Sequence, residues 1–341
     1  MANIKDIAAK CGFSVSTISK ALNGYTDISR ETKQKVVKAA EECGYLPNSM
    51  ARALKTNRTH NIGVLFADEA HSGLKQEYFA GVLDAFKVEA EQSSYDITFI
   101  SHNMNMNTRS MTYLEHCRYR NFDGVCIACV DFQNPEVLEL VNSDFPVVTI
   151  DHVFNNHTSI NSANVANMSE LVKYIYGMGH RKVAYVHGKK SAVTEQRLTS
   201  FCRTMQDLGT SVPPEYLVLS AFHETQPTKN AVKQLLALPN RPTCIIMPDD
   251  YATLGGIEAI EEAGLRIPED ISVAGYDGIP LSQMLRPKLT TVRQDTERMG
   301  REAAHRLIEQ IENPLTTIIE SLTVEGTLLE GQSVSKIEAR T

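Results

Sequence analysis

The sequence predicts an α/β protein in which a small, all-helical N-terminal unit precedes a body of two doubly wound parallel-sheet lobes. Three observations lead there. The opening residues hold three short amphipathic segments divided by turn residues, and from Asn61 onward short apolar runs alternate with helix-length stretches. The chain of 341 residues is more than twice the ~150-residue domain prior. Hydrophobic residues at 42% and charged residues at 22% are ordinary for a globular chain, and no apolar run approaches the ~18 residues of a membrane span. A membrane protein and a disordered chain are therefore excluded. Lys5 and Asp6 interrupt the N-terminus where a secretory signal carries its apolar stretch, so a cytoplasmic location is expected.

The first helix follows from Ile4, Ile7, Ala8 and Cys11 at helical spacing, ended by Gly12. Ser14 caps a second helix with Ile18, Ala21 and Leu22 on its apolar side, and Asn23-Gly24 ends it. A third opens with Ile28 as staple and Ser29 as cap, then places Val36, Ala40 and Cys43 on one face as far as Gly44. Three short helices with a glycine turn between the first two describe a helix-turn-helix unit.

In such a unit the second helix enters the major groove, which makes the exposed Val15, Ser16 and Lys20 candidates for reading DNA. Val15 suits a thymine methyl, Ser16 several bases, and Lys20 either guanine acceptors or a phosphate. A three-helix bundle with these residues merely solvated has the same spacing. Charge separates the two readings: residues 1–60 carry ten basic and five acidic side chains, or +5, whereas the remainder carries 24 against 36, or −12. After Pro47, the segment from Asn48 to Leu54 is too short to be a stable helix alone. It can pair with a second copy through Met50, Ala51 and Leu54, or Leu54 can wedge into a minor groove beside Arg52; an ordinary linker, the character of residues 55–60 after it, is the alternative.

Asn3-Ile4-Lys5-Asp6-Ile7-Ala8, Ser14-Val15-Ser16-Thr17-Ile18-Ser19, Ala21-Leu22-Asn23-Gly24 and Gly44-Tyr45-Leu46-Pro47-Asn48 resemble the N-terminal signature of the lactose/galactose repressor family. The resemblance implies a homodimer that represses transcription from a pseudo-palindromic operator DNA. It also implies that Ser14, Val15, Ser16, Thr17, Lys20 and Asn23 contact DNA from the helix-turn-helix and that Asn48, Ala51, Arg52 and Leu54 do so from a hinge helix. Lys20 stands where the family frequently has arginine.

In the body, the strand-like runs are 62–66, 97–100, 125–128, 147–150, 183–186, 244–247 and 271–274. Short apolar strands between helices imply parallel sheets covered on both faces, and such sheets hold ligands at the carboxyl ends of their strands. Asp68, Asp151, the pair Asp249-Asp250, and Asp277 fall there. Acids in those positions suit a polyhydroxyl ligand, because a carboxylate accepts paired hydrogen bonds from neighbouring hydroxyls. Each alone also reads as a helix cap or loop residue.

Residues 179–184, 266–277 and 289–295 are similar to core motifs of the same family, which extends the resemblance over nearly the whole chain. It implies a periplasmic-binding-protein-like (type I) core of two lobes joined by three crossovers, with a small effector, a sugar or sugar derivative, in the cleft. By motif position it implies effector contacts from Asp151, Arg197, Phe222, Asp249 and Asp277, and Asp68 joins them as a candidate from its place after the first strand. The domain division it implies is 1–47 for the helix-turn-helix, 48–60 for hinge and linker, 61–161 with 293–323 for one lobe, and 162–292 with 324–341 for the other. Ser200 replaces the family's usual glycine, and Asp249 stands where asparagine is common.

Seven scattered cysteines form no even framework, and the strand-like run holding Cys126 and Cys129 makes core thiols the expectation over a redox pair. There is no HExxH, no GxSxG and no complete dinucleotide loop, so neither a catalytic constellation, a cofactor nor a metal site is expected. A solute-binding protein of the same two-lobed fold is the alternative, but it leaves the basic front without a role. Residues 331–336 lack a heptad pattern, so a dimer is expected instead of a tetramer.

Overall fold

The computed structural model describes residues 2–22, 25–45, 58–67, 73–101, 105–106 and 109–337. The chain divides into two compact units, residues 1–59 and 60–341.

In the first unit, α1 (Ile4–Cys11) opens with a reciprocal capping box between Asn3 and Asp6 and closes at Gly12, whose φ of 71° is the left-handed value that favours glycine. Helix α2 (Val15–Leu22) follows after three residues, and α3 (Arg30–Glu42) is capped by Ser29. Ile7, Ile18 and Val36 are fully buried where the three helices meet, with Ala21 and Ala40 beside them. Each such aliphatic side chain contributes roughly 1.5–3 kcal/mol on burial. That is a small core, sufficient for a compact helical unit and leaving one face of α2 to solvent.

The second unit contains two parallel sheets. Its first lobe contains β1 (Asn61–Phe66), α4 (Glu77–Gln92), β2 (Asp96–Phe99), the short pair β3 (Asn105–Met106) and β4 (Arg109–Ser110), then α5 (Tyr113–Arg120), β5 (Gly124–Ala128), α6 (Pro135–Val141), β6 (Val147–Ile150) and β7 (Thr158–Ser162). The second lobe contains α7 (Asn164–Gly177), β8 (Val183–His187), α8 (Ala192–Asp207), β9 (Leu217–Leu219), α9 (Thr225–Leu236), β10 (Cys244–Ile246), α10 (Thr253–Glu262), β11 (Ser272–Ala274) and α11 (Pro280–Met284). The chain then returns through β12 (Thr291–Arg293), α12 (Thr296–Glu312), β13 (Ser321–Val324) and β14 (Thr327–Leu329).

Sheet order is β13-β7-β6-β5-β1-β2 in the first lobe and β11-β10-β8-β9 in the second, all neighbours parallel. Strands β5 and β6 are buried along their full length, the pattern of a sheet covered by helices on both faces. In each sheet the order reverses once, between β1 and β5 and between β8 and β10, and such switch points open crevices at the carboxyl ends. The antiparallel ribbon β12–β14 and the step from β7 into α7 carry the chain between lobes.

The apolar runs read in the sequence coincide with seven strands to within a residue or so. Strands β3, β4, β7, β9 and β12–β14 were not anticipated: β7 and β12–β14 mix polar with apolar residues, and β9 is apolar throughout but only three residues long at the sheet edge. In β7 the sequence Thr-Ser-Ile-Asn-Ser is nonetheless mostly buried, and its hydroxyls are matched across the sheet, as Ser159 Oγ donating to Ser321 Oγ at 3.0 Å shows. Tertiary pairing here overrides composition.

Helices α4 and α12 cover one face of the first sheet in near backbone contact. A Cβ on Gly300 would lie 2.1 Å from the Val82 carbonyl oxygen, so only glycine permits this approach. Residues 331–337 fold back onto the second lobe: Val273 N donates to Ser333 O, and His180 Nε2 lies 3.0 Å from Ser335 O. All seven cysteines are free thiols. Cys126 lies inside β5, where burial pushes its thiol up to about 12, and Cys129 lies beyond the strand end. Among the described residues no helix is long and apolar enough to cross a membrane.

Candidate functional site

Two sites emerge, one in each unit. On α2 the apolar Ile18 and Ala21 turn inward, which leaves Ser14, Val15, Ser16 and Lys20 exposed and Thr17 half-buried. Ser14 Oγ accepts from Thr17 N at 3.1 Å and lies 2.8 Å from both Ser16 Oγ and Thr17 Oγ1. The three hydroxyls form one knot at the start of the helix, where backbone N–H groups and the helix dipole favour an anion such as phosphate. No acidic residue occupies this first turn.

Lys20 Nζ makes an ion pair of 2.5 Å with Asp27 Oδ2, a contact that spacing alone did not reveal. Both side chains are about half exposed, so the pair adds little stability but competes with DNA for the ammonium. Asp27→Asn is expected to strengthen non-specific DNA binding by roughly two- to fivefold at low salt, with the gain fading as salt rises. A fluorescence-anisotropy titration on random-sequence duplex at two salt concentrations would check this; an unchanged affinity at both would mean the pair does not restrain Lys20.

Asn23, Asn48, Ala51, Arg52, Leu54 and Asp68 lie outside the described residues. The other five predicted effector residues are brought together at the strand ends of the two lobes. Asp151 follows β6, and Phe222 follows β9. Asp249 follows β10, Asp277 follows β11, and Arg197 projects from α8. Asp151 Oδ1 accepts from Ser162 N at 2.8 Å and Oδ2 accepts from the Tyr78 hydroxyl at 2.6 Å. Asp277 Oδ1 accepts from Gln294 Nε2 at 2.7 Å.

Arg197 is buried. Its Nε donates to Asn164 Oδ1 at 2.8 Å, and its guanidinium lies 3.6 Å from the centroid of the Tyr276 ring and 5.9 Å from that of Phe222. No described carboxylate comes within the 4.0 Å of an ion pair, although Asp277 and Asp151 are near enough to favour its charge.

Burial raises the carboxyls of Asp151 and Asp249 above the usual range, opposed by backbone N–H donors and by the Arg197 charge. Asp277 is pushed up to about 7 by desolvation, with Arg197 pulling down and Asp249 and Asp151 pushing up. Gln294 Oε1 and Tyr185 Oη are buried with no hydrogen-bond partner among the described residues. A cavity of about 580 Å³ bordered by Tyr78, Gly81, Asp277, Gln283 and Gln294 continues from this cluster, within the size range of small-molecule sites.

Sequence reasoning paired Asp250 with Asp249, but the structure gives it a different role. Asp250 Oδ1 accepts from Thr291 Oγ1 at 2.7 Å and Oδ2 from Ile279 N at 2.9 Å, so it binds β12 and the start of α11 beneath the site. Tyr78, Asn164, Tyr185, Tyr276 and Gln294 were missed. Gln294 and Tyr276 lie inside recognised motifs, whereas Tyr78 carries no local signal and reaches Asp151 only because α4 packs where it does.

A helix-turn-helix unit followed by a two-lobed core with a polar cleft defines a ligand-responsive DNA-binding regulator. Comparison with known proteins agrees. Residues 3–48 match the family described as bacterial regulatory proteins, lacI family, and residues 172–334 match the periplasmic binding protein-like domain. The HTH-type transcriptional repressor PurR of Pasteurella multocida (strain Pm70) is 31% identical over 315 residues, covering 91% of this chain and 92% of that protein. The lac repressor dimer bound to operator and the anti-inducer ONPF superposes with a TM-score of 0.82 at 22% identity over 98% of this chain and 99% of that one. The CelR–cellobiose complex gives 0.71 at 22% over 98% and 100%. At that identity the last two show a shared fold. The chain belongs to the lacI family of bacterial regulatory proteins.

Proposed function

We propose that the protein is a cytoplasmic repressor without enzymatic activity, which binds a pseudo-palindromic operator as a homodimer and is controlled by a neutral polyhydroxyl effector, a sugar or sugar derivative. The observation that carries the effector class is the charge of the cleft: Asp151, Asp277 and the buried Arg197 guanidinium lie close enough to influence one another's charge without forming a direct ion pair. Hydroxyl groups can donate to the acids and accept from Arg197 at once, and Phe222 offers a ring face for a sugar's C–H surface. A phosphorylated or acidic ligand would add charge of the sign already in excess.

Val15, Ser16 and Lys20 are assigned to base edges, and Ser14 and Thr17 to phosphate. Asn23, Asn48, Ala51, Arg52 and Leu54 keep the DNA roles that the family resemblance implies, and Asp68 keeps its place at the effector. The helix-turn-helix match and the repressor relatives favour this reading over a solute-binding protein.

Each crossover between lobes is tied by a hydrogen bond at the cleft. Ser162 N donates to Asp151, Gln294 to Asp277, and Gly326 N to Asn167 Oδ1 at 3.1 Å. A ligand that engages Asp151 and Asp277 thus pulls on two of the three strands about which the lobes turn, and a change in lobe closure alters operator affinity by a coupling of about 1–3 kcal/mol.

A thermal-shift screen against monosaccharides, disaccharides, glycosides, sugar phosphates and nucleobases tests the effector class. Stabilisation by neutral sugars, lost in Asp277→Ala, is the expected result; stabilisation confined to phosphates or nucleobases would overturn it. Within this site Tyr78→Phe removes the only described side-chain donor to Asp151, and we expect about tenfold weaker effector binding from the loss of one charge-assisted hydrogen bond. Titration calorimetry with the best hit would check it, since operator affinity without effector should not change.

A further inference from the structure

We infer that Asp249 acts as the positioning residue of the cleft's aromatic shelf: its carboxylate binds the Phe222–His223 turn to the end of β10 and so fixes the ring that Phe222 presents. Sequence position marks Asp249 as a direct ligand contact. The structure shows both of its oxygens already engaged by backbone.

Oδ2 accepts from His223 N at 2.7 Å and Oδ1 accepts from Ala252 N at 2.7 Å. The second bond caps the turn that leads into α10; the first reaches across to a separate segment, the loop after β9. That loop needs an anchor. His223 has φ 56°, a left-handed conformation that a residue with a side chain adopts only when its surroundings hold it there. Its ring stacks on Tyr251 at 4.1 Å and 19°, two residues beyond Asp249, so the loop is fastened to the end of β10 by a hydrogen bond and by a ring contact.

Phe222, the preceding residue, is held from below. A Cβ on Gly188 would lie 2.3 Å from the Phe222 ring, so the ring rests directly on the glycine backbone, and the Arg197 guanidinium lies 5.9 Å from the ring centroid. The ring's place is therefore set by the floor at Gly188 and by the turn that Asp249 holds.

In this chain both anchors are backbone N–H donors, which a carboxylate satisfies together and an amide does not. Asparagine carries one acceptor and one donor, so whichever way its amide is turned, an N–H would face Nδ2 and one of the two anchors would be lost. The retained bond is the local cap to Ala252, three residues on, which leaves the longer-range tie to His223 as the one released.

This inference rests on the reading of the cleft as an effector site only for what the ring then does; the anchoring itself is testable without any ligand. The chain contains no tryptophan, so Phe222→Trp places a single indole on the shelf. In that background Asp249→Asn is expected to shift the emission to the red and to raise acrylamide quenching on the order of twofold, as local release exposes the ring, while far-UV circular dichroism stays native. If Asp249→Asn does not fold, the same emission is read for Asp249→Glu, which keeps the charge and displaces both oxygens. Unchanged emission and quenching in the folded variant would overturn the inference, as would a lowered melting temperature with a native indole signal, which would mark Asp249 as a general fold residue. Sugar binding by the Phe222→Trp protein is measured separately. An anchor-dependent indole with no response to any sugar would count against the effector reading and leave the shelf assignment standing.

Discussion

Arg197→Ala is expected to abolish effector binding, weakening it by more than about 100-fold, or roughly 3 kcal/mol, while operator binding without effector remains. The guanidinium is the only cation buried among the described residues of the cleft cluster, and its removal has three effects. The ligand loses its charged donor. Asn164 Oδ1 loses the Nε bond, and the face of Tyr276 loses its cation. The acids also lose the one charge that favours their ionised form, so Asp151, Asp249 and Asp277 retain their protons to higher pH and accept hydroxyl hydrogen bonds less well. Arg197→Lys should recover little, because a single ammonium cannot reproduce a planar fork that lies on the Tyr276 ring and bonds Asn164 through Nε. Calorimetric titration with a sugar that binds the parent, alongside operator anisotropy, checks both halves. Effector affinity within threefold of the parent would remove Arg197 from the binding machinery.

The second large effect is on pH. Burial pushes the Asp277 carboxyl up to about 7, against 3.8 for a free carboxyl, because desolvation holds the proton on. A carboxyl whose folded value is raised contributes stability that is fully present below about pH 4 and is lost as pH rises through about 7, since the unfolded chain ionises first. The unliganded protein should therefore lose stability between pH 4 and 7 from this group, with an upper bound of about 4 kcal/mol. Effector affinity should move the opposite way. Hydroxyl donors prefer the carboxylate, so binding strengthens with pH over that window and releases protons as it does. Asp277→Asn should flatten the melting-temperature profile between pH 4 and 7 and remove proton release on binding, at the cost of weaker affinity. A slope identical to the parent's would place the titrating group elsewhere in the cluster.

Much of the fold was legible because burial on both faces of a parallel strand demands continuous apolar runs, and α1–α3 carried caps openly in Gly12, Ser14 and Ser29, whereas the Asn3 capping box of α1 was found only in the structure. Two kinds of strand escaped notice: β7, whose burial is balanced by polar pairing of Ser159 with Ser321, and β9, which is apolar but only three residues long at the sheet edge. The candidate site divides the same way. Acids just past apolar runs announced Asp151, Asp249 and Asp277, since strand ends are where such sheets bind ligands. Tyr78 could not be found so: it lies one residue into a helix and meets an acid 73 positions away. The roles of Asp249 and Asp250 were equally hidden, because two adjacent carboxylates look alike until their hydrogen-bond partners are known.

The close pairing of α4 with α12 has a mechanical consequence. Gly300 against Val82 leaves no room for the two helices to slide, so they move as one beam. That beam starts at the cleft, where Tyr78 touches Asp151 and where α12 follows directly on Gln294, and it ends near Glu312. At 1.5 Å per residue the 17 residues of α12 span about 25 Å, so a tilt of about 5° at the cleft displaces the far end by about 2 Å. A lever of this length turns a sub-ångström adjustment around a bound ligand into a shift large enough to repack whatever adjoins its distal tip.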